Sequence, residues 1–133
     1  MNAKWICPAI TPFHQDGAID FESAGRFYDH LIANEIDGVL IGGSLGEFFG
    51  QTLEQREEIA RFAVKHIAGR MKVIIGTANM IAEEIAPLSN TCLAAGADAV
   101  MIVPPFYFAF GDAEMYGFYS RMAKEIQGPV YIY

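Results

Sequence analysis

The chain has 133 residues, 53% of them hydrophobic and 19% charged, with a net charge of −7. This composition excludes a disordered segment and leaves room for one domain with a sizeable core. The basic residues are scattered, which argues against a nucleic-acid partner, and no apolar run is long enough to span a bilayer.

In chain order, Met1–Trp5 lacks the layout of a secretory signal. Cys7 and Cys92 are the only cysteines and suggest no disulfide framework, which predicts a reducing, cytoplasmic location. Strand-like apolar runs recur at Trp5–Cys7, Val39–Ile41, Val73–Ile75, Val100–Val103 and Val130–Ile132. Helical patterns separate them. Asp20 is a candidate N-cap before an apolar stripe of Phe21, Ala24, Phe27, Tyr28, Leu31 and Ile32. Thr52-Leu53-Glu54-Gln55 fits a capping box and opens a helix with Ile59, Phe62, Ala63 and Ile67 inward. The run Glu54–Glu58, which includes Arg56, reads as a solvated face of that helix. Ile81, Ile85, Leu88 and Cys92 form a third stripe, stopped by Gly96. Pro87 fits there if the helix starts near Glu83 or Glu84, with a kink as the alternative. Met115, Phe118, Tyr119, Met122 and Ile126 form a fourth stripe, stopped by Gly128-Pro129.

The pattern is βα four times over, then a fifth strand, in steps of roughly 30 residues as βαβ units require. Continuous apolar strands fit a parallel sheet buried on both faces. Two α/β architectures satisfy it: a doubly wound sheet, or part of a (β/α)8 barrel, whose complete form needs about 250 residues. Periodicity does not choose between them.

The chemistry concentrates after the second strand, at Gly42-Gly43-Ser44-Leu45-Gly46-Glu47. Glycines let a backbone approach a ligand closely and turn N–H groups toward an anion. The loop is neither a G-x-G-x-x-G fingerprint nor a P-loop, and no lysine follows it. Tyr107 follows a later strand end, and Tyr133 closes the last strand. Each has a plain structural reading as well: the loop as a tight turn, Phe106–Phe110 as an aromatic interface, Tyr133 as a core aromatic. His14, His30 and His66 lack ligand spacing, so no metal site is expected.

Five segments together carry a resemblance. They are Ala9-Ile10-Thr11-Pro12-Phe13 after strand one, Gly43-x-x-Gly46-Glu47 after strand two, and Gly96-Ala97-Asp98 before strand four. Pro105-Phe106-Tyr107 follows strand four, and Tyr131-Ile132-Tyr133 forms strand five. In these the chain resembles, over its whole length, the N-terminal part of the dihydrodipicolinate synthase / N-acetylneuraminate lyase family. That resemblance implies a (β/α)8 TIM barrel, with residues 1–133 supplying the first four βα units and strand five of a single domain. It implies a lyase that binds pyruvate or a related 2-oxo acid as a Schiff base and needs no cofactor. Dihydrodipicolinate synthase, sialic-acid lyase and 2-oxo-3-deoxy sugar-acid aldolase are the candidate activities. Ser44, Gly43 and the backbone of Leu45 are implied to hold the carboxylate, Gly46 and Glu47 to order the loop, and Tyr133 to assist proton transfer. Tyr107 is implied to reach across a homodimer or homotetramer interface into the neighbouring site, with the cluster Phe106-Tyr107-Phe108 and Phe110 at the contact. Cys7 is expected near the barrel interior as an inert thiol.

Two departures stand out. Leu45 occupies the position where the family usually carries a second hydroxyl, and it cannot donate a hydrogen bond. The family's imine-forming lysine lies on strand six, beyond Tyr133. None of Lys4, Lys65, Lys72 or Lys124 is placed to reach a carbonyl at the Ser44 loop. The 133 residues are therefore expected to be part of a longer enzyme and inactive alone. A non-catalytic half-barrel that binds a carboxylate or a partner subunit is the alternative.

Overall fold

Parallel strands cannot be joined by tight turns, so each pair needs a crossover long enough for a helix. The computed structural model describes residues 3–107 and 109–133. Phe108, placed above in the aromatic cluster, lies outside the described residues, as do Met1 and Asn2. The elements alternate as β1 (Ile6–Pro8), α1 (Phe21–Ala33), β2 (Gly38–Ile41), α2 (Leu53–Ile67) and β3 (Lys72–Gly76). They continue as α3 (Ala82–Ala94), β4 (Ala99–Ile102), α4 (Asp112–Glu125) and β5 (Val130–Ile132). The sheet runs β1-β2-β3-β4-β5 with every neighbouring pair parallel. This order never turns back on itself, which removes the doubly wound alternative.

Register sorts the apolar strand residues into two faces. Cys7, Val39 and Val73 form one row, and Ile41, Ile75, Val100 and Val130 the next. Both rows pack beneath the helices with Tyr28, Ile59, Ile67, Ile85 and Met122. Burying each such side chain contributes roughly 1.5–3 kcal/mol. The intervening row, Pro8, Leu40, Ile74 and Ala99, points to the opposite, inner face. Cys7 therefore faces the helix-side core and not the barrel interior, because it shares a row with Val39. Cys92 is buried on α3, and burial pushes its thiol up to about 11, which keeps it protonated and inert.

The helix starts follow local chemistry. Asp20 caps α1 by accepting the Ser23 N–H at 2.9 Å. The Thr52 hydroxyl accepts the Gln55 N–H at 3.2 Å, and the Gln55 side chain accepts the Thr52 N–H at 3.0 Å. Helix α3 begins at Ala82, so Pro87 is its sixth residue and sits deeper than expected. The proline ring leaves the Glu83 carbonyl without its i+4 donor. At the helix start Asn79 accepts the Ile81 N–H at 3.0 Å and donates to the Glu84 carboxylate at 2.8 Å. Ile81 is the N-cap and is 53% exposed, so it does not join the inward stripe. Among the described residues, no helix is long and apolar enough to cross a membrane.

Candidate active site

The site begins where the ends of β2 and β3 touch. Gly42 has φ +71, and a Cβ there would stand 3.1 Å from the Gly76 carbonyl oxygen. A Cβ at Gly76 would come within 2.4 Å of the Gly42 oxygen, closer than any side chain tolerates. Two glycines thus let main chain meet main chain at the C-terminal end of the sheet.

From that contact the chain leaves through extended Gly43 and coils into a short 3-10 turn, Ser44–Gly46. The Gly46 N–H donates to Gly43 and the Glu47 N–H to Ser44, at 3.0 and 3.1 Å. The N–H groups of Ser44 and Leu45 come before this ladder and make no hydrogen bond among the described residues. Glu47 then adopts the left-handed conformation (φ 54, ψ 39) and leads into a second turn, Phe48–Gly50. This reversal sends Phe48 inward, 8% exposed, while Leu45 and Phe49 stay 60% and 69% exposed.

The loop is anchored through a single carbonyl. The Gly46 oxygen accepts the Thr11 hydroxyl at 2.8 Å and the Gln51 amide at 2.6 Å, and Gln51 also donates to Thr11 at 3.2 Å. Glu47, expected to order the loop, makes no side-chain hydrogen bond among the described residues, and Thr11 and Gln51 supply the ties. Glu47 contributes through its backbone turn. Thr11 had a signal, since it sits in the Ala9–Phe13 segment; Gln51 had none beyond preceding a helix cap.

Arg56 is a second residue that the sequence misplaced. It is 5% exposed and not part of a solvated face. It shares the inward side of α2 with Ile59, Ala60, Ala63 and Ile67, at helical spacing. Its Nη2 donates to the Gly76 carbonyl at 3.1 Å, and its guanidinium lies 5.2 Å from the centre of the Phe48 ring. Desolvation lowers its pKa from the ordinary arginine value.

A cavity of about 460 Å³ opens above these strand ends. Gly43, Ser44, Leu45 and Tyr133 all line it, together with inner-face residues such as Leu40 and Met101. Tyr107 does not; its neighbour Phe106 does, while Tyr107 is 77% exposed. The Tyr133 backbone is held by its own N–H on the Ile102 carbonyl and by the Tyr119 hydroxyl on its carbonyl, both at 3.1 Å. Among the described residues no cluster of His, Cys, Asp and Glu could hold a metal ion.

The family model of the dihydrodipicolinate synthetase family matches residues 1–133. The chain belongs to that family. YagE of Escherichia coli K12, named as a candidate 2-dehydro-3-deoxy-D-gluconate aldolase, is 35% identical over 96% of this chain and 42% of its own. The 4-hydroxy-tetrahydrodipicolinate synthase of Aquifex aeolicus is 34% identical over 96% of this chain and 43% of its own. The crystal structure of YagE in complex with pyruvate superposes with a TM-score of 0.94, covering 100% of this chain and 45% of that one. This chain thus spans under half the length of the curated relatives it matches. Its fold is that of the family's TIM barrel, of which it supplies four βα units and the fifth strand.

The glycine contact gives a direct test within this family member. Gly76→Ala in the intact protein should force β2 and β3 apart at their ends and displace the Ser44 loop. A lowered melting temperature is then expected, since overpacking costs roughly 1–3 kcal/mol. Thermal melts would check it; an unchanged melting temperature would mean that the strand ends absorb the added methyl group.

Proposed function

We propose that the intact protein is a class I lyase or aldolase that handles pyruvate or a related 2-oxo acid through an imine. The observation that carries this reading is the meeting of two unpaired loop N–H groups, the Ser44 hydroxyl and the Tyr133 phenol around one cavity, in a chain of this family. The loop donors suit a carboxylate, which is best held by several N–H or O–H groups. The family resemblance puts the amine on a lysine of the next strand, outside these residues. Attack of that amine on the ketone expels water and forms the imine. Loss of a proton from the adjacent carbon gives an enamine, with the imine nitrogen as electron sink. The enamine carbon bonds to an aldehyde carbon while the aldehyde oxygen takes a proton; water then hydrolyses the imine. Cleavage runs the same steps backwards. Tyr133, which lines the same cavity as Ser44, is the proposed proton carrier near the reacting oxygen. The free cysteines fit a cytoplasmic enzyme. Borohydride reduction of the intact protein with pyruvate tests the chemistry. A mass gain at one lysine is the expected result, and no adduct would refute it.

Leu45 gives the second test. Its side chain leaves the carboxylate with backbone donors and Ser44 alone. Leu45→Thr would add a hydroxyl, and a hydrogen bond to a charged group is worth about 1.5–3 kcal/mol, against roughly 0.5–1.5 for a neutral one. Pyruvate binding should tighten between about threefold and about a hundredfold. Ser44→Ala should lower the catalytic rate more than the affinity.

We also propose that the intact protein is a homodimer or homotetramer with Tyr107 at a subunit contact. Phe106, Tyr107 and Phe110 are 53%, 77% and 43% exposed, an apolar grouping that suits an interface. Sedimentation should show a dimer or larger, and Tyr107→Phe should lower turnover more than stability. A fully active monomer would contradict this.

A further inference from the structure

The segment from Gly42 to Phe48 is gripped at both ends by one side chain. Arg56 reaches it from the first turn of α2, which the Thr52–Gln55 capping box fixes. The Arg56 backbone N–H donates to Thr52 at 3.0 Å, and the Gln55 amide beside it donates to the Gly17 carbonyl at 3.1 Å. The guanidinium therefore springs from a braced base. At the entry of the segment, Nη2 holds the Gly76 carbonyl, against which Gly42 packs. At the exit, the guanidinium lies over the ring of Phe48. Thr11 and Gln51 hold the middle, through the Gly46 carbonyl.

Stability alone does not account for an arginine at this position. Its companions on the inward side of α2 are Ile59, Ala60, Ala63 and Ile67. A methionine would fill similar space with no charge to desolvate, and apolar replacement of buried charges is often neutral or stabilising. Arg56 instead leaves its Nε buried without a hydrogen-bond partner. The guanidinium supplies what methionine lacks, a donor and a flat face in fixed relation to each other. Those two features meet the two ends of one turn. Only 5% of Arg56 is exposed, so both contacts are set by the described residues alone.

We propose that Arg56 is a positioning residue for the Ser44 turn. By fixing the Gly76 carbonyl and the Phe48 ring together, it sets where the N–H groups of Ser44 and Leu45 point, and through them the affinity for a carboxylate. It acts through the turn and not by touching the substrate. This rests on the 2-oxo acid chemistry proposed above and deepens it by naming what holds the loop donors in place.

The test uses the intact protein and follows the rate of borohydride trapping against pyruvate concentration. In Arg56→Met the half-saturating concentration is expected to rise about tenfold, the effect of losing one aligned donor to a charged group. The rate at saturation is expected to stay within about twofold, because affinity and not the reacting lysine is altered. Arg56→Lys keeps a donor for Gly76 without the flat face, and is expected to recover part of the loss. An unchanged half-saturating concentration in Arg56→Met overturns the proposal, and so does a saturating rate that falls as far as the affinity, which marks a general loss of structure. A lysine variant no better than methionine overturns the grip on Gly76. If Arg56→Met does not fold, Arg56→Lys and Phe48→Leu decide the matter; each is expected to raise the half-saturating concentration about threefold or more, and no rise in either overturns the proposal. If the unaltered protein gives no adduct, the imine reading falls by itself. Calorimetric titration of the same proteins with pyruvate then decides the role of Arg56: equal affinities, or no binding to the unaltered protein, overturn it.

Discussion

The contact between Gly42 and Gly76 sets the position of everything above the sheet. Neighbouring parallel strands lie about 4.8 Å apart in the hydrogen-bonding direction. Here the two ends close until a Cβ on Gly76 would stand 2.4 Å from the Gly42 oxygen. The Ser44 turn springs from that contact two residues later, so its origin is defined by main-chain atoms. Arg56 then takes up the Gly76 carbonyl, and Thr11 and Gln51 take up the Gly46 carbonyl. Two carbonyls, one on each side of the turn, are thereby held by buried or half-buried donors from other elements.

Arg56 is the costly member of this arrangement. Taking a guanidinium out of water is unfavourable unless its donors and its charge are answered. One nitrogen is answered by Gly76 and the face by the Phe48 ring, while Nε is buried without a hydrogen-bond partner. The lowered pKa is the electrostatic record of the same desolvation. Lysine could not reproduce this geometry, because an ammonium lacks the planar face that lies over the ring and the forked donors beside it.

The βα alternation was legible in the sequence because both of its signals are local. Strands buried on two faces read as unbroken apolar runs, and α1 and α2 announce their starts through Asp20 and the Thr52–Gln55 box. Strand order came from the family resemblance and not from periodicity, since it depends on pairings between residues about 30 or more positions apart, such as Cys7 with Val39. The same limit explains Arg56. Its neighbours Glu54, Gln55, Glu57 and Glu58 are polar and suggested water, whereas its place in the inward stripe depended on what stood opposite. Cys7 was put on the wrong face because a three-residue strand shows no alternation to read. For the site, the glycine loop and Tyr133 were visible as residue types after strand ends. The ties from Thr11 and Gln51 to one carbonyl were not, because any hydroxyl or amide can make such a bond.

The Ser44 turn draws its shape and its recognition chemistry from different atoms. Its path is written in carbonyls, in two glycines that touch and in a left-handed residue whose carboxylate binds nothing nearby. The recognition proposed for it falls to the Ser44 hydroxyl and the N–H groups of Ser44 and Leu45, and the side chains at positions 44 and 45 take little part in holding that path. Such a division makes the loop open to change over evolutionary time. A single substitution at position 45 can replace a hydroxyl with a hydrocarbon without rebuilding the frame. A lineage of enzymes can then move from one partner molecule to another in small, individually survivable steps.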